Sequence, residues 1–139
     1  MRLDDGRVIP NFLQQALRKE PLTIYGNGEQ TRSFCYVDDL VDGIVALLFS
    51  EEHEPINLGN PEEIAMKDLA SLINHILNND EKIVYLENKT TGDDPARRQP
   101  DISKAQQLLK WNPKIKLEEG INLTLPYFRA KMGLLNVQN

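Results

Sequence analysis

The residues of this chain best suited to chemistry are its arginines, four of which sit where a phosphate could be met. Arg7, Arg32 and the pair Arg97-Arg98 lie at or beside loops and strand ends of a chain whose formal net charge is -5. A guanidinium is planar, permanently charged and able to grip two phosphate oxygens at once, so arginines at chain turns suit a diphosphate. Each alone is an ordinary surface residue; they make a site only if the fold gathers them. Beside them, Thr23-Ile24-Tyr25-Gly26-Asn27-Gly28 offers an aromatic face and turn backbone to a base ring. The loop Asp93-Asp94-Pro95-Ala96-Arg97-Arg98-Gln99-Pro100-Asp101 adds two prolines that limit the entropy lost on ordering.

Other patterns look chemical and read better as structure. A tyrosine becomes a base when a lysine one helical turn away lowers its pKa, and the spacing occurs at Tyr127/Lys131 and Tyr85/Lys89. Tyr85 falls in a strand, where four residues span roughly 13 Å, so Lys89 is out of reach. Tyr127 is helical, but no nucleotide-binding βαβ unit precedes it. Gly26-Asn27-Gly28 lacks a third glycine and leads into a strand, not the helix N-terminus that cradles a pyrophosphate. His53 and His75 have no partner at metal-ligand spacing, and Cys35 alternates with Phe34 and Tyr36 as a packing residue.

The elements that must position these residues alternate between helical and strand period, which predicts an α/β or α+β layer. Pro10 to Lys19 reads as a helix with Pro10 in its first turn. Leu22 to Tyr25 and Thr31 to Tyr36 read as strands joined through Asn27-Gly28, a hairpin signal. Asp38 or Asp39 is placed to cap a helix carrying Leu40, Val41, Ile44, Val45, Leu47 and Leu48. A brief strand is expected at Ile56 to Leu58. Met66 to Leu77 has the clearest amphipathic pattern, and Ile83 to Leu86 reads as a strand. An extended loop follows from Lys89 to Asp101. Ser103 can cap a short helix to Leu109, and a last helix from Leu117 is expected to kink or break at Pro126. The tail from Gly133 to Asn139 is expected to fray.

With 139 residues, 40% hydrophobic and 27% charged, the chain fits one ordinary globular domain. No apolar run reaches membrane-span length and no signal peptide is evident, while a single cysteine points to a reducing compartment. These features predict a cytoplasmic protein outside the membrane. The 21 acidic residues argue against a nucleic-acid partner.

At its ligand-facing residues the sequence resembles a known family. Thr23-Ile24-Tyr25-Gly26-Asn27-Gly28-Glu29-Gln30-Thr31-Arg32-Ser33-Phe34-Cys35-Tyr36-Val37-Asp38-Asp39-Leu40-Val41-Asp42-Gly43 is similar to the C-terminal signature of extended short-chain dehydrogenases acting on nucleotide sugars. Asp4-Asp5-Gly6-Arg7-Val8, Ile56-Asn57-Leu58-Gly59-Asn60-Pro61-Glu62 and Asp94-Pro95-Ala96-Arg97-Arg98-Gln99-Pro100-Asp101-Ile102 narrow the resemblance to the UDP-glucuronate decarboxylases, or UDP-xylose synthases. It extends from Arg2 to about Lys131.

The resemblance implies a small C-terminal substrate-binding domain of α/β (α+β-like) class at residues 1-132, without the Rossmann NAD-binding domain. It implies that Arg7 reaches the nucleotide sugar and that Thr23, Ile24, Tyr25, Gly26 and Asn27 hold the uridine. Arg32 would meet the diphosphate, and Arg98 rather than Arg97 would take the substrate-binding arginine position. In the family, NAD oxidises the 4-hydroxyl of UDP-glucuronate, the β-keto acid loses carbon dioxide, and the ketone is reduced to give UDP-xylose. The NAD site and the catalytic tyrosine-lysine pair lie upstream of the matched part. The chain is therefore expected to be the substrate half of such an enzyme, with no catalytic residue of its own and a missing NAD-binding half as partner. Two alternatives stand: a fragment of another nucleotide-sugar dehydratase or epimerase, or a non-enzymatic interaction domain. An orphaned half is also expected to expose apolar surface and so to self-associate.

Overall fold

A computed structural model describes Arg2 and residues 6–87 and 97–134. The chain forms two compact units. The first comprises residues 1–29, 65–94 and 121–139, and the second residues 30–64 and 95–120.

In the first unit, α1 (Val8–Leu17) leads into β1 (Leu22–Tyr25), and α3 (Met66–Leu77) leads into β4 (Ile83–Leu86). β1 and β4 pair in parallel, Leu22 opposite Ile83 and Tyr25 opposite Leu86. α1 starts two residues earlier than expected, with Pro10 still inside the first turn, where its missing N–H costs nothing. Its Ile9, Phe12, Leu13 and Ala16 are buried, as are Leu22 and Ile24 of β1 and Leu69, Ala70, Ile73 and Leu77 of α3. Burying one such leucine or isoleucine stabilises by about 1.5–3 kcal/mol, so these residues carry the unit. α3 ends on Asn78 in the left-handed region, and its last carbonyls are met by Lys19, whose Nζ donates to Leu77 O at 2.9 Å and Asn78 O at 2.7 Å. Ile121, Leu125 and Phe128 are buried along one stripe of α5 (Leu117–Lys131). Pro126 sits inside α5, which runs on to Lys131, so of the kink or break expected there the break does not occur. Of the expected frayed tail, residues 135–139 lie outside the described residues.

The second unit holds β2 (Thr31–Ser33), α2 (Val37–Leu48), β5 (Arg97–Arg98), α4 (Ser103–Leu109) and, but for Ala65, β3 (Glu63–Ala65). The strand order is β3-β2-β5, with β2 and β5 parallel. Ile102, Ala105 and Trp111 form its core, with Cys35, Ile56, Leu58 and Leu109 packed against them. Gly43 lets α2 come close: a Cβ there would meet Leu58 Cδ2 and Trp111 Cε2, each at 2.9 Å.

The structure corrects other expectations: β2 ends at Ser33 rather than Tyr36, and the loop expected at Lys89 to Asp101 contains β5. Asn27-Gly28 does not close a hairpin, because β1 and β2 belong to different sheets. Asn27 Oδ1 accepts from Glu29 N at 3.0 Å, and Gly28 O accepts from Lys67 N in the first turn of α3 at 3.2 Å. The turn is thus tied to α3, and a tertiary partner overrides the local signal. Ile56 to Leu58 forms no strand: Ile56 and Leu58 are held by packing on the Trp111 cluster, and the strand falls at Glu63–Ala65 instead. Asp39 does not cap α2, whose N-cap is Tyr36. Its buried carboxylate instead accepts from the backbone N–H groups of Lys114 at 2.9 Å and Ile115 at 2.8 Å. Ser103 is the first residue of α4 rather than its cap; Asp101 Oδ1 accepts from Ser103 N at 2.9 Å and Ser103 Oγ at 2.6 Å.

Candidate functional site

The arginines and the Thr23 to Asn27 residues singled out by sequence fall into two sets, one in each unit. In the first unit, Arg7 is the exposed N-cap of α1 in extended conformation, φ -80° and ψ 155°. Along β1 the side chains alternate: Leu22 and Ile24 face the core, while Tyr25 is 54% exposed. Any contact from Ile24 to a ligand is therefore a backbone contact. Gly26 N donates to Leu86 O at 2.9 Å, so by alternation the Thr23 and Tyr25 amides point away from β4.

Thr23 is met there by a residue the sequence did not flag. Gln15 Oε1 accepts from Thr23 N at 3.1 Å, and Gln15 Nε2 donates to Thr23 Oγ1 at 2.8 Å. Having accepted from Gln15, the hydroxyl is left to act as a donor toward a ligand. Gln15 lies eight residues from Thr23 on another element, a relation that no periodicity announces. Beyond Tyr25 the chain turns through Gly26, φ +76°, a conformation that glycine adopts without strain, and Asn27 is exposed.

In the second unit, Arg32 and Arg98 are register partners on neighbouring parallel strands, as are Thr31 and Arg97. Partners on adjacent strands leave the sheet on the same side and successive residues on opposite sides. Arg32 and Arg98 therefore share one face, and Thr31 and Arg97 the other. On that second face Arg97 is already engaged: its Nε donates to Glu63 Oε2 at 2.7 Å and its Nη2 to Gln99 Oε1 at 2.8 Å. Thr31 Oγ1 donates to Glu63 Oε1 at 2.6 Å. The hydrogen bond from Arg97, followed by that from Thr31, holds the Glu63 carboxyl below its ordinary value, and Glu63 raises Arg97 in turn. Two positive side chains on one face, with the third arginine neutralised on the other, is an arrangement fitted to an anion. Arg32 Nη1 also donates to Thr31 O at 2.6 Å.

The look-alike patterns behave as structural residues. Lys131 Nζ sits over the Tyr127 ring, 5.9 Å from its centre, in a cation-π contact, and Tyr127 packs edge-on against Phe128. Tyr85 is in β4, and Lys89 lies outside the described residues. Cys35 packs against the Trp111 cluster, and burial followed by the neighbouring Asp39 charge pushes its thiol up, away from the nucleophilic form. Among the described residues no group of three or more His, Cys, Asp or Glu could hold a metal.

A dinucleotide does not fit these residues either. No described strand passes through a glycine-rich turn into a helix. The close approach allowed by Gly28 is taken by α3, since a Cβ there would stand 3.2 Å from Lys67 Cβ.

Over 134 residues the chain is 48% identical to UDP-glucuronic acid decarboxylase 5 of Arabidopsis thaliana, covering 96% of this chain and 39% of that protein. Against UDP-glucuronic acid decarboxylase 1 of Xenopus tropicalis the identity is 50% over 132 residues, covering 95% of this chain and 31% of that protein. Among solved structures, UDP-glucuronic acid 4-epimerase from Bacillus cereus, in complex with UDP-glucuronic acid and NAD, aligns with TM-score 0.84 and 31% identity. That alignment covers 94% of this chain and 41% of the epimerase. UDP-glucose 4-epimerase with UDP-glucose from Thermotoga maritima gives TM-score 0.84 and 32% identity, over 91% of this chain and 40% of the other. The chain thus spans about two fifths or less of each. The expected α/β class and the resemblance to nucleotide-sugar enzymes are both borne out. Matched over residues 5–124 by the profile described as GDP-mannose 4,6 dehydratase, the chain belongs to that family.

Proposed function

We propose that the chain is the nucleotide-sugar-binding portion, residues 1-132, of an NAD-dependent UDP-glucuronate decarboxylase. The observation that carries this reading is the in-register pair Arg32 and Arg98, with Arg97 held on the opposite face by Glu63. A diphosphate between sugar and nucleoside is the ligand such a pair suits, because each guanidinium can donate two parallel hydrogen bonds. Thr23 to Asn27, with exposed Tyr25, would take the uridine, and Arg7 would reach the ligand from the start of α1. The specific sugar is taken from relatives named UDP-glucuronic acid decarboxylase at 48% to 50% identity.

The described residues bind and orient; none fits the nicotinamide cofactor, so the reading requires an NAD-binding partner and assigns no chemical step to this chain. No helix among the described residues is long and apolar enough to cross a membrane. A cytoplasmic location is part of the proposal and draws its support from the single cysteine of the sequence. The test is an NMR titration of the 139-residue chain with UDP-glucuronate at up to millimolar concentration, alongside an assay for carbon dioxide. Saturable shifts without carbon dioxide release are expected, and Arg98→Ala weakens binding by about tenfold or more, since a charged hydrogen bond is worth about 1.5–3 kcal/mol. Turnover by the purified chain, or unchanged binding in Arg98→Ala, overturns the reading.

One observation favours a second reading, a non-enzymatic interaction domain. α2 exposes Val37, Val41, Ile44, Val45 and Leu48, and Phe49 follows at 84% exposure. Contiguous apolar surface of this kind invites association. Self-association in sedimentation experiments with no response to UDP-glucuronate would favour it.

A further inference from the structure

We propose that Glu63 is a positioning residue for the nucleotide-sugar site: its carboxylate fixes which of the two adjacent arginines, Arg97 or Arg98, faces the ligand. The inference rests on the reading that Arg32 and Arg98 bind the diphosphate.

The β2–β5 ladder has two register pairs, Thr31 with Arg97 and Arg32 with Arg98. So short a ladder is weakly specified, and placing two arginines side by side weakens it further through like-charge repulsion. The sequence makes the register ambiguous as well. Because strand side chains alternate with a period of two, a slip by one residue exchanges the faces of Arg97 and Arg98. The two side chains are chemically identical, so nothing in β5 itself selects between these arrangements.

Glu63 supplies the difference. One of its carboxylate oxygens accepts from Thr31 and the other from Arg97, the two residues that form one register pair. A single side chain on β3 thereby clamps the far face of β2 to the far face of β5. Gln99 secures the other side of the Arg97 guanidinium, and its own Nε2 donates to Pro61 O at 2.8 Å. Arg97 is thus held between two acceptors on its own face, and Arg98 is left beside Arg32. The Glu63 carboxyl is held low by the same contacts, so the clamp stays ionised well into mild acid.

A charge effect and a positioning effect predict opposite signs. Removing a carboxylate near a phosphate site raises the local positive potential and tightens anion binding. Loss of register weakens it. The test is UDP-glucuronate affinity of the full 139-residue chain and its Glu63→Ala, Glu63→Gln and Thr31→Val variants, read by NMR titration with each variant's fold checked by amide dispersion. Glu63→Ala is expected to weaken binding by about tenfold, and Glu63→Gln, which keeps a group able to meet both partners, by no more than about threefold. Adding Arg97→Gln to Glu63→Ala removes the competing arginine and restores most of the affinity, a rescue that a merely structural role would not give. Should Glu63→Ala fail to fold, Thr31→Val, which keeps β-branching and deletes half the clamp, carries the test with an expected loss of about threefold.

Unchanged or tighter binding in folded Glu63→Ala overturns the inference, as does the same result in Thr31→Val where that variant stands in. Absence of UDP-glucuronate binding by the unaltered chain removes the underlying reading and the inference with it. Binding that disappears in Arg98→Ala while Glu63→Ala binds normally sinks the inference alone.

Discussion

Helices α3 and α2 have the same length, twelve residues, and opposite relations to their surroundings. α3 carries one apolar stripe and buries it: Leu69, Ala70 and Ile73 are wholly inaccessible. α2 is apolar around most of its circumference. It buries Asp39 and Gly43, packs on α4, and leaves Val37, Val41, Ile44, Val45 and Leu48 substantially exposed. A helix with one stripe needs one neighbour, whereas a helix apolar all round is built for two. On its inner face α2 meets α4, Leu58, Trp111 and the Lys114–Ile115 backbone. The difference teaches that equal length does not mean equal burial: α3 sets its apolar side chains into the core, while five of those on α2 stay exposed.

The sharpest way to break the comparison is in the core of the first unit. Ile73→Ala on α3 is expected to destabilise by about 2–5 kcal/mol, because it removes buried methyl groups and leaves a cavity. Urea denaturation measures it; a loss under about 1 kcal/mol would mean that the site collapses around the change. On the inner face of α2 the effect is smaller but still clear. Asp39→Ala strands the Lys114 and Ile115 amides and is expected to cost about 1–3 kcal/mol, visible as faster exchange of those two amides. Gly43→Ala drives a methyl into Trp111 and Leu58, at a comparable cost of about 1–3 kcal/mol, with a shift in Trp111 fluorescence.

Below these comes the end of α4. Asp101 has its carboxyl held low, first by the hydroxyl and then by the amide of Ser103. A depressed acid stabilises above its unfolded pKa, and that contribution is lost as pH falls through the lower, folded value. Acidification below the usual carboxylate range is therefore expected to release the Ser103 amide, and Asp101→Asn to blunt that pH dependence. The smallest stability effect belongs to the outer face of α2. Leu48→Gln is expected to change stability by less than about 0.5 kcal/mol in urea denaturation. A large loss of stability would place Leu48 with the residues of α3 and erase the contrast.

These two helices also show how much was legible. α3 and β4 match their expected bounds because one-sided periodicity and a short β-branched run are local signals. α2 was readable as a helix, but its periodicity cannot say which face is covered. The Asn27-Gly28 turn misled for a related reason: its geometry is local, but the partner of β1 is β4, more than fifty residues on. The arginines were legible by residue type alone. Their pairing across β2 and β5 was not, nor were Gln15 on Thr23 and Glu63 on Arg97, because each joins segments distant in sequence. Chemistry could be read from the residues, while proximity had to come from the fold.

The bond from Trp111 Nε1 to the Asp39 carbonyl, 2.9 Å long, joins residues 72 positions apart. Translation at roughly 5–20 residues per second puts about 4–14 s between the synthesis of α2 and that of the tryptophan beneath it. For that interval the inner face of α2 has Leu58 beside it but lacks Trp111 and α4. The early history of this chain is therefore a wait, with its most apolar helix made well before the tryptophan that completes the cluster beneath it.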